Sequence, residues 1–86
     1  MSKKAINVYL RENCDLCESL ARLLQAHWPP IFEEINWVDI DTDIHAFRKY
    51  GKFIPVVELN GESVLQGKID PISIQKYFGP PVNPLY

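Results

Sequence analysis

Two cysteines, Cys14 and Cys17, stand three residues apart and are the only thiols in the chain. They follow a short apolar run, Ala5 to Leu10, and open an amphipathic helical pattern that reaches about His27. A thiol at the start of a helix meets unpaired backbone N–H groups and the positive end of the helix dipole. Both favour thiolate over thiol, and the thiolate is the form that attacks disulfides. The second cysteine falls about one turn further on, on the same face, where it can reach back and close a local disulfide. The chemistry this spacing offers is dithiol–disulfide exchange, with Cys14 as nucleophile and Cys17 as the resolving thiol. A pair of buried structural cysteines is the alternative reading.

The flanking elements must hold that pair in place. Ala5–Leu10 carries Ile, Val and Tyr and reads as a buried strand. Asn13 is a suitable N-cap, and Leu16, Leu20, Leu23, Leu24 and His27 follow helical spacing, with Glu18 and Arg22 as an i,i+4 pair outside. Pro29-Pro30 is expected to stop this helix, and Phe32–Ile40 to form a second strand parallel to the first. Asp41-Thr42-Asp43 caps a short helix that places Ile44, Phe47 and Tyr50 on one face and ends at Gly51. Ile54–Leu59 reads as a third strand with Pro55 at its start. Asn60-Gly61 turns the chain into a fourth strand, Glu62–Gln66. Asp70-Pro71 opens a last helix with Ile72, Ile74, Tyr77 and Phe78 apolar, Ile74 at the edge of the face, and Gly79 beyond its end. The order is β-α-β-α-β-β-α: an α/β fold with a four-stranded mixed sheet flanked by helices. A Cys-x-x-Cys at its first strand–helix junction is a redox signature of thioredoxin type.

Composition sets the outer bounds. The 86 residues suffice for one modest core, so residues 1–86 are read as a single domain, with 1–4 and 80–86 as extended tails. With 47 % hydrophobic and 23 % charged residues the chain is of ordinary globular type. A net charge of −2 and basic clusters no larger than Lys3-Lys4 and Arg48-Lys49 argue against nucleic-acid or anionic-membrane partners. The N-terminal apolar run is too short and polar for a signal peptide or membrane span. A cysteine pair without an export signal points to a reducing compartment, by default the cytoplasm. A monomer is expected.

On these residues the chain resembles a small glutaredoxin-like protein of the thioredoxin superfamily, from Ile6 to about Phe78. The resemblance rests on Cys14-x-x-Cys17 after the first strand, Tyr50-Gly51, Ile54-Pro55-Val56, and Gly67 with Asp70 before the last helix. It implies that Pro55 is cis and faces the cysteines, and that the Ile54 backbone pairs with a bound peptide or thiol. It also implies a basic residue three positions before the first cysteine, the place of Arg11. That arginine would steady the thiolate or a substrate carboxylate, or else be a solvated loop residue.

The departures bear on the ligand. Asp15-Leu16 stands where glutaredoxins carry Pro-Tyr, and the carboxylates of Glu12, Asp15 and Glu18 oppose thiolate formation. The contacting helix donors are expected to prevail over these solvated charges, leaving the thiolate moderately favoured. The family's glutathione-binding Gly-Gly-x-x-Asp pattern reads Gln66-Gly67-Lys68-Ile69-Asp70, without its first glycine. Arg11, Ile54, Pro55, Gly67 and Asp70 are thus the substrate-binding set the resemblance implies. Glutathione is expected as a weakly held co-substrate at most, and no resident cofactor is expected. The partners are a disulfide-containing protein or low-molecular-weight thiol, and a reductant the sequence does not specify.

Two readings from other classes compete. A zinc or iron–sulfur module needs four ligands or a dimer, and His27 and His45 are wrongly spaced for a zinc finger, although a cluster bridged by Cys14 of two chains is open. A redox-inactive interaction domain could also retain the fold.

Overall fold

Val8 sits at the centre of the sheet, paired with Trp37 on one side and Val57 on the other. A computed structural model describes residues 5–85; the tail expected at 1–4 lies outside them. The strands are β1 (Ile6–Leu10), β2 (Asn36–Asp39), β3 (Val56–Leu59) and β4 (Glu62–Gln66), in the order β2-β1-β3-β4. β1 runs parallel to β2 and antiparallel to β3, and β3 antiparallel to β4. The helices are α1 (Asp15–His27), α2 (Pro29–Glu34), α3 (Ile44–Tyr50) and α4 (Pro71–Phe78), with a 3₁₀ turn at Ile40–Thr42. This is the α/β fold expected of a thioredoxin-like domain.

Side-chain alternation along β1 gives the sheet two unlike faces. Ile6 and Val8 join Leu20, Leu24, Trp28, Ile35, Val57 and Ile74 in the main core. Each such large side chain taken fully from water contributes about 1.5–3 kcal/mol. Asn7 and Tyr9 belong to the other face, where α3 presents Tyr50 and β3 presents Glu58.

Pro29-Pro30 ends α1, as expected, but it also begins α2, a helix the sequence reading missed. Proline fits the first helical turn because its fixed φ suits the helix and the N–H it lacks has no partner there. β2 is correspondingly shorter than Phe32–Ile40. The stripe on α1 is Cys17, Leu20 and Leu24; Leu16, roughly 100° round the helix from Cys17, stays 44 % exposed. On α3 the buried pair is Ala46 and Tyr50 at i,i+4, which leaves Ile44 and Phe47 exposed. On α4 the central residue is Ile74, with Ile72 two positions back on the solvent side. In short helices a contiguous apolar spacing can be drawn through more than one face, and the sheet selects one.

Asn60 and Gly61 both have positive φ (54° and 84°), the geometry of a two-residue hairpin whose twist matches its strands. The tail after α4 is non-helical and fastened down. The Val82 and Asn83 N–H groups donate to the His27 carbonyl at 2.8 and 3.3 Å, and the Asn83 side-chain amide donates to the Ala26 carbonyl at 2.9 Å. These bonds satisfy carbonyls that the end of α1 leaves open. His27 closes α1, with Nδ1 2.9 Å from the Asn83 carbonyl, and His45 is exposed.

Candidate active site

Leaving β1, the chain turns through Asn13, whose φ of 58° lies in the left-handed region that asparagine tolerates. The expected N-cap role of Asn13 therefore passes to the next residue. Cys14 has extended backbone, and its Sγ accepts the Cys17 N–H at 3.2 Å, so the sulfur itself caps α1. Thirteen residues of helix stand behind it. Cys14 and Cys17 are joined as a disulfide with their Cα atoms 5.2 Å apart. Cys14 is half-buried and Cys17 buried. A cavity of about 230 Å³ adjoins the pair, bounded by Arg11, Glu12, Asn13, Glu18 and Ala21.

The other sequence-derived residues fall into separate groups. Arg11 lines the cysteine cavity, but its guanidinium donates to Asp41 at 2.9 Å and lies 6.0 Å from the centre of the Phe47 ring. The Ile54–Pro55 peptide bond is cis, as the resemblance implied; Pro55 is buried and Ile54 half-buried. Gly67, with φ of 69°, donates its N–H to the carbonyls of Phe53 (3.1 Å) and Pro55 (2.9 Å). It thereby ties the end of β4 to the proline loop. Asp70 caps α4 by accepting the Ser73 N–H at 2.7 Å. That backbone bond, then a bond from the Ser73 side chain, holds its carboxyl below the ordinary aspartate value. The cysteine cavity thus brings together Arg11, Cys14 and Cys17, and none of Ile54, Pro55, Gly67 and Asp70 lines it.

A family model described as Glutaredoxin-like domain (DUF836) matches residues 5–79. The chain belongs to that family. The glutaredoxin-like domain is also similar in structure to protein Ne2328 from Nitrosomonas europaea, solved by solution NMR. The identity is 29 %, 90 % of this chain and 93 % of that one are covered, and the TM-score is 0.63. A protein of unknown function from Staphylococcus aureus, SA0789, shares the fold at 20 % identity and a TM-score of 0.62, covering 88 % of each chain. No curated protein matches. Among the described residues no group of three or more His, Cys, Asp or Glu side chains is placed to hold a metal ion. No helix among them is long and apolar enough to cross a membrane.

The sequence reading missed one polar cluster in the glutaredoxin-like domain. Glu58 is only 6 % exposed. The hydroxyls of Tyr50 and Tyr9 (3.0 Å for Tyr9) and the side-chain amide of Asn7 (3.3 Å) donate to its carboxylate, and Lys49 Nζ lies 4.0 Å away. Burial pushes the Glu58 carboxyl up. The bonds from Tyr50, Asn7 and Tyr9, and the Lys49 charge, outweigh that and leave it below its ordinary value. Burial first, then the bond to Glu58, pushes both tyrosines up to about 12. The signal was present as a lone acidic residue inside Val56–Leu59, paired in register with Asn7.

These shifts predict the pH profile of folding. A carboxyl depressed in the fold adds stability above its unfolded value, here about 4.5, and loses it as pH falls through the lower folded value. Tyrosines raised in the fold add stability that is full below pH 10.0 and is lost as pH rises through about 12. Urea midpoints should therefore be flat between these limbs. Tyr50→Phe removes a bond to a buried charge and should cost about 1.5–3 kcal/mol near neutrality, while shrinking both limbs. Wild-type stability in that variant would show that the carboxylate does not depend on Tyr50.

Proposed function

We propose that this domain is a thiol–disulfide oxidoreductase that cycles Cys14 and Cys17 between dithiol and disulfide. The observation that carries the reading is the position of Cys14 Sγ, half-buried beside a cavity and accepting a backbone N–H at the start of α1. In the reduced protein the same N–H and the helix dipole would stabilise a thiolate there.

The Cys14 thiolate attacks one sulfur of a substrate disulfide, forming a mixed disulfide and expelling the other sulfur as a thiolate that takes up a proton. Cys17 then gives up its proton and attacks Cys14 Sγ, releasing the second substrate thiol and leaving the Cys14–Cys17 disulfide. The substrate gains two electrons and two protons, and an external thiol or dithiol returns them to the domain. The Ile54 backbone pairs with the substrate and Pro55 holds it in place, as the family resemblance implies. Arg11, Gly67 and the Asp70 helix terminus meet its carboxylates, with glutathione as a weak co-substrate. A reducing compartment, the cytoplasm, suits this cycle.

Limited alkylation of the reduced domain near neutral pH, with mass mapping, tests the assignment. Cys14 should be labelled well before Cys17, and the domain should turn over a small disulfide when supplied with glutathione or with thioredoxin reductase. First labelling of Cys17, or no turnover with either donor, would defeat it.

A further inference from the structure

A second cavity, of about 490 Å³, adjoins the cysteine cavity, and Arg11 lines both. Its walls carry Arg11, Arg48, Lys49 and Lys52 together with Phe47 and Phe53, and no Asp or Glu lines it. Four of the chain's nine Lys and Arg residues therefore bound one groove in a protein of net charge −2. Two of the four are partly neutralised: Arg11 by Asp41 at 2.9 Å, and Lys49 by Glu58 at 4.0 Å. Among the described residues, Arg48 and Lys52 have no carboxylate within 4.0 Å. Phe47 and Phe53 are 44 % and 48 % exposed, so the cations are flanked by exposed aromatic surface, of which the Phe47 ring also meets the Arg11 guanidinium at 6.0 Å.

This composition has a directional consequence. Phe53 immediately precedes Ile54-Pro55, and its carbonyl is bound by Gly67, so one wall of the groove is continuous with the proline loop. Phe47 also borders a hollow that carries Asp41 and Asp43 and no cation. The sign of charge thus changes across one ring. Arg11 is the residue the two cavities share, so a ligand joined to Cys14 that also reaches the groove passes beside it.

We propose that this groove docks an acidic peptide segment beside the disulfide of a protein substrate, with carboxylates on Arg48 and Lys52 and an apolar side chain against Phe47 or Phe53. The proposal rests on the exchange reading above and names its substrate class.

The test uses Cys17→Ser domain and peptides of equal length, each with one cysteine capped by 2-mercaptoethanol and flanked by acidic, neutral or basic residues. Attack by Cys14 should be about tenfold or more faster on the acidic than on the basic peptide at low salt, the scale of electrostatic steering. The ratio should approach one near 1 M salt. Arg48→Glu with Lys52→Glu should reverse the preference. A second measurement needs no exchange: an acidic peptide with serine for cysteine should shift the backbone amides of Phe47 to Phe53 in NMR titration, and its basic counterpart should not. Equal rates for acidic and basic peptides, or shifts confined elsewhere, overturn the groove assignment. So does oxidised glutathione that outpaces the acidic peptide and moves the same amides, which would make the groove a small-ligand site. Failure of every disulfide to react defeats the exchange reading instead, and the serine peptide still decides the groove.

Discussion

Cys17→Ser should accumulate a covalent adduct with its substrate, and Cys14→Ser should lose exchange down to the uncatalysed background. The asymmetry follows from where the sulfurs lie. Cys14 Sγ is the capping atom of α1 and borders a cavity, whereas Cys17 is in the first turn, only 4 % exposed, among core residues. Removing the nucleophile removes the covalent route altogether, an effect of orders of magnitude on rate. Removing the resolving thiol leaves the first attack intact and blocks the step that releases substrate. Mass spectrometry of each variant, incubated with a disulfide peptide and left unreduced, gives the answer. An adduct on Cys14→Ser, or full multiple turnover by Cys17→Ser, would exchange the two roles or reduce the mechanism to one thiol.

Trp28→Ala is the substitution expected to harm folding most. Trp28 is 1 % exposed, belongs to the main core cluster, links α1 to α2, and donates its indole N–H to the Gly79 carbonyl at 3.0 Å. Truncating a buried aromatic side chain costs about 3–5 kcal/mol. A domain of this size has a total stability of roughly 4–13 kcal/mol at typical values per residue. The variant should melt more than about 12 °C lower, or fail to fold. Trp28→Phe keeps one aromatic ring but loses the bond to Gly79 and part of the buried volume, so it should fall between the two. Denaturant midpoints for the three proteins check this, and a Trp28→Ala loss under about 1 kcal/mol would mean the core does not rest on this residue.

The β3–β4 hairpin and the cysteine pair were legible because their signals are local; the place of β1 between β2 and β3 was not. Asn60-Gly61 encodes a hairpin in its own backbone preferences, and Cys14-x-x-Cys17 encodes a reachable pair through helix geometry alone. The faces of the helices were not legible to the same degree. Leu16, Phe47 and Ile72 each fit an apolar spacing, yet each is exposed, because which stripe is buried depends on the sheet beneath and not on the helix. Glu58 was hidden for a related reason: its partners Asn7, Tyr9 and Tyr50 are 51, 49 and 8 residues away and converge only when β1, β3 and α3 assemble. Arg11 stood out by its offset from Cys14, but its contact with Asp41 depends on a turn 30 residues further on.

The central place of β1 matters for how the chain is made. Asn7 pairs with Asn36 on one side and Glu58 on the other, so the strand synthesised first waits for partners 29 and 51 positions later (36 − 7 and 58 − 7). At about 5–20 residues per second, the second wait lasts roughly 3–10 seconds on the ribosome. Once β2 has followed, β1, α1 and β2 can assemble with the Cys14–Cys17 pair already in place, while the edge reserved for β3 stays open and free to pair with other strands until β3 arrives. The thiols are therefore born before the Ile54–Pro55 loop. If the proposed exchange reading holds, the nascent domain would pass through a stage in which its thiols are present but the segment proposed to select a disulfide is not.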